Sequence, residues 1–127
     1  MSHTVFEKVA SISGEPNALP VKDPGPAIGY YTRVLGFHVV ERGGNRAVLA
    51  RDGVCIGLEV NGQDPEQVSC YFGVSDVEAL RAELEATGIE PSPLRVDEYG
   101  GRRYRVFFAK EPYGVCFCFG QQLPDEE

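Results

Sequence analysis

Two stretches of this chain repeat one another in the same order, and no other feature narrows the possible folds as far. Val21-Lys22-Asp23 matches Val74-Ser75-Asp76, and Leu35-Gly36-Phe37 matches Thr87-Gly88-Ile89. Gly43-Gly44 matches Gly100-Gly101, and Gly53-Val54-Cys55-Ile56 matches Gly114-Val115-Cys116-Phe117. Signals recurring in a fixed order mark one structural unit used twice. Each unit reads as a strand, a helix and three further strands. The 127 residues suit one domain with a single core. Module one covers about residues 16–60, a linker about 61–67 and module two about 68–120; an N-terminal arm precedes them over 1–13 and a C-terminal tail follows over 121–127.

Alternation locates the strands. Val54, Ile56, Leu58 and Val60 alternate with Cys55, Gly57 and Glu59, and a strand sends two such sets to opposite faces. Val68, Cys70, Phe72 and Val74 alternate in the same way with Ser69, Tyr71 and Gly73, as do Val115, Phe117 and Phe119 with Cys116, Cys118 and Gly120. One face is bulky and apolar each time, and the other is small or polar. After Gly101, Tyr104, Val106 and Phe108 fall on the second kind of face, and Phe107 and Ala109 on the first.

Two helices are predicted between the strands. One starts at Asp23, tolerates Pro24 and Pro26 in its first turn, and carries Ala27, Ile28, Tyr31, Val34 and Leu35 before Gly36 ends it. The other opens on Ser75-Asp76-Val77-Glu78, a capping box with Ser75 as the cap, and runs through Val77, Leu80 and Leu84 to Gly88. The fold expected is α+β, with two tandem β-α-β-β-β modules forming curved mixed sheets around a cleft and the helices on the outside. The bulky faces belong under the helices. The small and polar faces are left to line the cleft, a setting that suits a small-molecule ligand.

Composition excludes several partners. The net charge is −7, whereas a duplex-binding surface needs excess Lys and Arg to displace counterions, so nucleic acid is not expected. No apolar run is long enough to span a membrane. Glu7 and Lys8 stand where a signal peptide would be apolar, and the expected location is the cytoplasm. Cys55, Cys70, Cys116 and Cys118 lie in apolar runs without C-x-x-C spacing, as free, hydrophobe-like cysteines do.

Leu19-Pro20-Val21-Lys22-Asp23, Ala27, Tyr30-Tyr31 and Leu35-Gly36-Phe37, followed by Val74-Ser75-Asp76-Val77, Gly88 and Glu111-Pro112-Tyr113-Gly114, resemble the glyoxalase / bleomycin-resistance / dioxygenase group, also called the vicinal oxygen chelate superfamily. The resemblance covers about residues 16–120 and departs from the family pattern at Glu111, where Asp is usual. The group spans isomerases, ring-cleaving dioxygenases, thiol transferases and metal-free antibiotic-binding proteins, so it implies a fold before it implies a chemistry.

In metal-dependent members a His or Glu sits early in the first strand of each module. A second ligand lies four residues after the Gly that opens each last strand. Carried over, these positions are Pro16, Ser69, Gly57 and Cys118. Hard divalent ions take carboxylate or imidazole ligands, and the set does not supply them. Glu15 is the one carboxylate near the first position; of the two histidines, His3 lies in the tail and His38 after the first helix.

The candidate ligand-binding residues are Glu59, Tyr71, Ser69, Tyr104, Phe108 and Cys118, with no catalytic or metal-binding residue and no cofactor. Glu59 is an anion that meets a cationic ligand, with Gly57 leaving open space beside it, or a general base, or a strand end facing solvent. Tyr71, Tyr104 and Phe108 are either an aromatic wall or ordinary packing. Cys118 and Cys116 read as packing residues, with a paired soft-metal site or, for Cys118, a cleft nucleophile as the alternatives. Arg102, Arg103 and Arg105 read as a solvated hairpin edge, with an anionic ligand or a partner's carboxylates as the alternatives. The function expected is metal-free binding of a small molecule by a homodimer of the bleomycin-resistance type, sequestering a drug or metabolite. The alternatives are a lyase, isomerase or dioxygenase with an atypical metal set drawn from Glu59 and Glu15, and a partner-binding module without a ligand. Elemental analysis of purified protein should find well below one zinc, iron, nickel or manganese per chain. A full equivalent, or an activity lost to chelator and restored by metal, would defeat that expectation.

Overall fold

Residues 4–111 and 114–124 are described by the structure, a computed structural model. His3 and the Pro112-Tyr113 pair of the second-module motif lie outside them. The strands are β1 (Phe6–Ser13), β2 (Leu19–Pro20), β3 (His38–Arg42), β4 (Arg46–Arg51), β5 (Val54–Glu59), β6 (Ser69–Val74), β7 (Arg95–Tyr99), β8 (Arg102–Lys110) and β9 (Cys116–Gln122). The helices are α1 (Pro24–Arg33) and α2 (Val77–Ala86). They build a four-stranded sheet in the order β2-β5-β4-β3 and a five-stranded sheet in the order β1-β6-β9-β8-β7. In each module the strand before the helix runs parallel to the last strand, β2 with β5 and β6 with β9, while the other pairs are antiparallel. A parallel pair needs a crossover, and the helix supplies it. This is the expected repeated α+β unit. None of the described helices is long and apolar enough to cross a membrane.

The two modules differ in their first strand. β6 has six residues, but β2 has two and follows a 3₁₀ turn at Pro16–Ala18. Pro16 and Pro20 have no N–H to donate to a ladder, which limits pairing there. The missing length is supplied from upstream. β1, within the segment expected as an arm, pairs antiparallel with β6 as the edge of the five-stranded sheet.

The start of β1 is also tied to the turn before α2. Val5 N–H donates to Ser75 Oγ at 2.8 Å, Ser75 N–H donates to the Val5 carbonyl at 2.8 Å, and Asp76 N–H donates to Thr4 Oγ1 at 3.1 Å. The expected capping role of Ser75 is therefore corrected. Its hydroxyl is used by β1, and Asp76 caps α2 by accepting from Ala79 N–H at 3.0 Å. Asp23 caps α1 as expected, accepting from Gly25 N–H at 3.0 Å.

One core serves both modules. Ala27, Ile28 and Tyr31 of α1 and Val77, Leu80 and Leu84 of α2 are buried in the same cluster as Phe72, Phe107, Phe117 and Phe119. Phe6 of β1 lies in it with 1% exposure, its ring centroid 5.6 Å from Phe37, 5.4 Å from Phe72 and 6.2 Å from Phe119. Tyr31 packs 5.9 Å from Phe117 and donates its hydroxyl hydrogen to the buried Glu111 carboxylate across a long 3.3 Å contact. Glu111 also accepts from Val115 N–H at 2.8 Å, so the departure from Asp fills a structural position.

Arg51, at the end of β4, holds the other side of the core. Its guanidinium lies 4.5 Å from the Phe6 ring centroid, donates to the Leu35 carbonyl beyond α1 at 2.7 Å, and pairs with Glu83 of α2 at 3.0 Å. The neighbouring Asp52 accepts from Phe6 N–H at 2.9 Å. Phe6→Ala should therefore lower unfolding stability by about 3–5 kcal/mol, as for a core aromatic. A loss under about 0.5 kcal/mol in denaturant titration, the range of a surface change, would show that β1 does not belong to this core.

Candidate functional site

Burial of the phenylalanines on one face of the five-stranded sheet turns the alternate residues to the other. Cross-strand register lines them up. Tyr71, Cys118 and Phe108 sit opposite one another on β6, β9 and β8, and Gly73, Gly120 and Val106 form the next row. Ser69 lies opposite Cys116, and Tyr104 opposite Gln122. On this face a pocket of about 200 Å³ is lined by Glu7, Lys8, Tyr71, Gly73, Val74, Tyr104, Gly120 and Gln122. Its residues come from β1, β6, β8 and β9.

The adjacent Gly73 and Gly120, both buried, seat two of the lining side chains against the sheet. A Cβ on Gly120 would stand 2.6 Å from the Tyr71 hydroxyl and 2.7 Å from its ring, and one on Gly73 would stand 2.9 Å from the Lys8 side chain. The Tyr71 ring and the Lys8 stem thus lie over bare backbone, the close approach that glycine in a strand permits. Tyr104 meets Tyr71 edge to face at 6.4 Å, a favoured aromatic geometry. Lys8 Nζ stands 5.8 Å from the Tyr71 ring centroid, within cation–π range. Burial, then Cys118, Tyr104 and Glu7, push the Tyr71 hydroxyl up to about 12, so it stays protonated at neutral pH and can donate a hydrogen bond.

The structure distributes the six candidate residues unequally. Tyr71 and Tyr104 line the pocket. Cys118 and Phe108 lie in the neighbouring row, with the Arg95 guanidinium 4.8 Å from the Phe108 ring centroid. Ser69 is half-buried one row further on. Glu59 is on β5 in the four-stranded sheet, opposite Arg46 and Pro20, and does not line this pocket. The open space expected beside Gly57 is corrected: a Cβ there would be 2.0 Å from the Asn17 carbonyl oxygen, because the Pro16–Ala18 turn lies against it. Arg105 pairs with Glu78 of its own chain.

The positions at which the fold family places a metal do not fit one. Gly57 is covered by backbone, and Pro16 is buried. The Cys118 thiol is raised to about 11, first by burial and then by Asp97 and Cys116, with Arg95 opposing; this disfavours the thiolate that a metal or a nucleophilic step requires. Glu15 caps the turn at Pro16–Ala18, accepting from Asn17 N–H at 3.1 Å. Among the described residues no group of three or more His, Cys, Asp or Glu is gathered closely enough to hold a metal ion.

Sequence reasoning missed Glu7 and Lys8. The signal that could have found them is weak. β1 pairs out of register between Phe6 and Lys8, and the extra residue of such a bulge breaks the two-residue period on which strand reading depends.

Comparison with known proteins places this geometry. The sequence profile described as Glyoxalase/Bleomycin resistance protein/Dioxygenase superfamily matches residues 8–119. No curated protein sequence matches the chain. Among solved structures, TnmS3, an antibiotic-binding protein from Streptomyces sp. CB03234, superposes with a TM-score of 0.73 at 20% identity, over 88% of this chain and 98% of that one. A bleomycin-binding protein complexed with bleomycin superposes with a TM-score of 0.72 at 22% identity, over 85% of this chain and 96% of that one. TioX from Micromonospora sp. ML1 gives 0.65 at 25% identity, over 84% and 95%.

Proposed function

The chain belongs to the Glyoxalase/Bleomycin resistance protein/Dioxygenase superfamily, and we propose that it binds a small organic molecule, without a metal, on the open face of its five-stranded sheet. The observation that carries this reading is the pocket beside Lys8 and the Tyr71–Tyr104 pair, with Gly73 and Gly120 in its lining. Two aromatic rings with polar groups from Glu7, Lys8 and Gln122 around them suit recognition of a small planar body that carries polar substituents. The ligand-poor positions at Pro16, Gly57 and Cys118 support binding over metal chemistry. Solved relatives with the same fold bind bleomycin or another antibiotic, which supports a small-molecule ligand here and sequestration of a drug or metabolite without a chemical step. Cytoplasmic location follows from the sequence reading and belongs to the same proposal.

A homodimer is part of this reading. The edge strands β3 and β7 expose apolar side chains, Val39 and Val40 on the first and Val96 and Tyr99 on the second, the last at 81%. An uncovered edge with apolar residues is a surface for another chain, and a second copy is the partner proposed.

A small-molecule screen read by amide shifts of Gly73 and Gly120 tests the site. For a ligand found this way, Tyr71→Ala and Tyr104→Ala should each weaken binding about two- to tenfold, the range of one aromatic contact, and chelator should leave affinity unchanged. Hits that leave both glycines unshifted would overturn the site. Sedimentation at micromolar concentration should show a dimer; monomer alone would remove that part of the proposal.

A further inference from the structure

We propose that the pocket takes a dipolar aromatic ligand, one whose ring carries both an ammonium and a carboxylate, as an aromatic α-amino acid does. This rests on the reading of the pocket as a ligand site and names the class of molecule it recognises.

The inference starts from a backbone irregularity. Phe6 pairs with Val74 and Lys8 with Gly73, so β1 advances two residues where β6 advances one. Neighbouring residues of a regular strand point to opposite faces. The bulge removes that alternation and brings Glu7 and Lys8 to the same pocket. Bulges re-aim side chains in this way beside functional sites.

Adjacent opposite charges on one face ordinarily neutralise each other, but the ion pairs of the described residues include no contact between Glu7 and Lys8, or between either and another residue. Lys8 instead reaches over the Tyr71 ring, while Glu7 lies near enough to raise the Tyr71 hydroxyl. Both side chains are exposed. The rim thus offers one anion and one cation beside two aromatic rings.

Size and field select the ligand further. A cavity of about 150 Å³ holds benzene, so about 200 Å³ admits one substituted ring. A free anion would meet Glu7 as a like charge at the rim, and a simple cation would meet Lys8 as one. A molecule with no net charge and two separated poles meets neither obstacle. Its carboxylate faces Lys8, its ammonium faces Glu7, and its ring lies against Tyr71 and Tyr104.

The test compares L-phenylalanine with the same molecule lacking one pole, 3-phenylpropanoate and 2-phenylethylamine, in titrations that follow the Gly73 and Gly120 amides. L-phenylalanine should bind about tenfold tighter than either analogue, as one added charge-assisted hydrogen bond allows. Glu7→Gln should erase its advantage over 3-phenylpropanoate, and Lys8→Gln its advantage over 2-phenylethylamine. Both substitutions are on exposed positions of an edge strand and keep the fold. If an analogue shifts the two glycines and binds as well as L-phenylalanine, or if neither substitution alters the order, the dipolar class is wrong while the pocket remains a ligand site. If none of the three probes shifts either glycine at millimolar concentration, the class is again wrong; the glycines then responding to other hits of the screen would keep the pocket reading, and their silence throughout would end it as well.

Discussion

Phe6, Phe37, Phe72, Phe117 and Phe119 meet in one ring cluster, with Tyr31 of α1 at its side. Aromatic side chains bury more area than any others and add edge-to-face contacts to it. The cluster draws residues from both modules and from β1, so neither half completes its core alone. It also decides what faces outward. Once Phe72 and Phe119 point inward, alternation leaves Tyr71, Gly73, Cys118 and Gly120 no direction but the open face of the sheet. The pocket is in this sense the reverse side of the core.

Much of the fold is legible in the amino-acid sequence. The repeated turns and the bulky-versus-small alternation of 54–60, 68–74 and 115–120 correspond to β5, β6 and β9, and the helices fall where capping residues and glycines bound them. The features that are not legible have physical causes. Ser75 and Asp76 are both good N-caps, and the choice between them depends on Val5, seventy residues away, which occupies the Ser75 hydroxyl. The first strand of module one is short because two prolines interrupt it. β1 is hidden because register shifts at Phe6/Lys8 and Ser11/Ser13 break its alternation.

The candidate site divides along the same line. Tyr71 and Tyr104 can be placed on the open face because β6 and β8 keep their period. Gly57 cannot be judged from its neighbours, since the carbonyl that fills its space comes from the turn at Asn17, far earlier in the chain. A glycine in a strand lets another group approach its backbone closely; at Gly120 that group is the Tyr71 ring and at Gly57 the Asn17 carbonyl, and only long-range contacts tell them apart.

Arg51 carries a consequence for how the two modules hold together. From a strand of the first module it reaches the end of α1, the side of α2 and the ring of Phe6. Through this one side chain the two modules answer to one another: a guanidinium of the first pairs with a carboxylate of the second and lies on a ring that precedes both. A cut at the linker would therefore leave each half with a contact it cannot complete by itself.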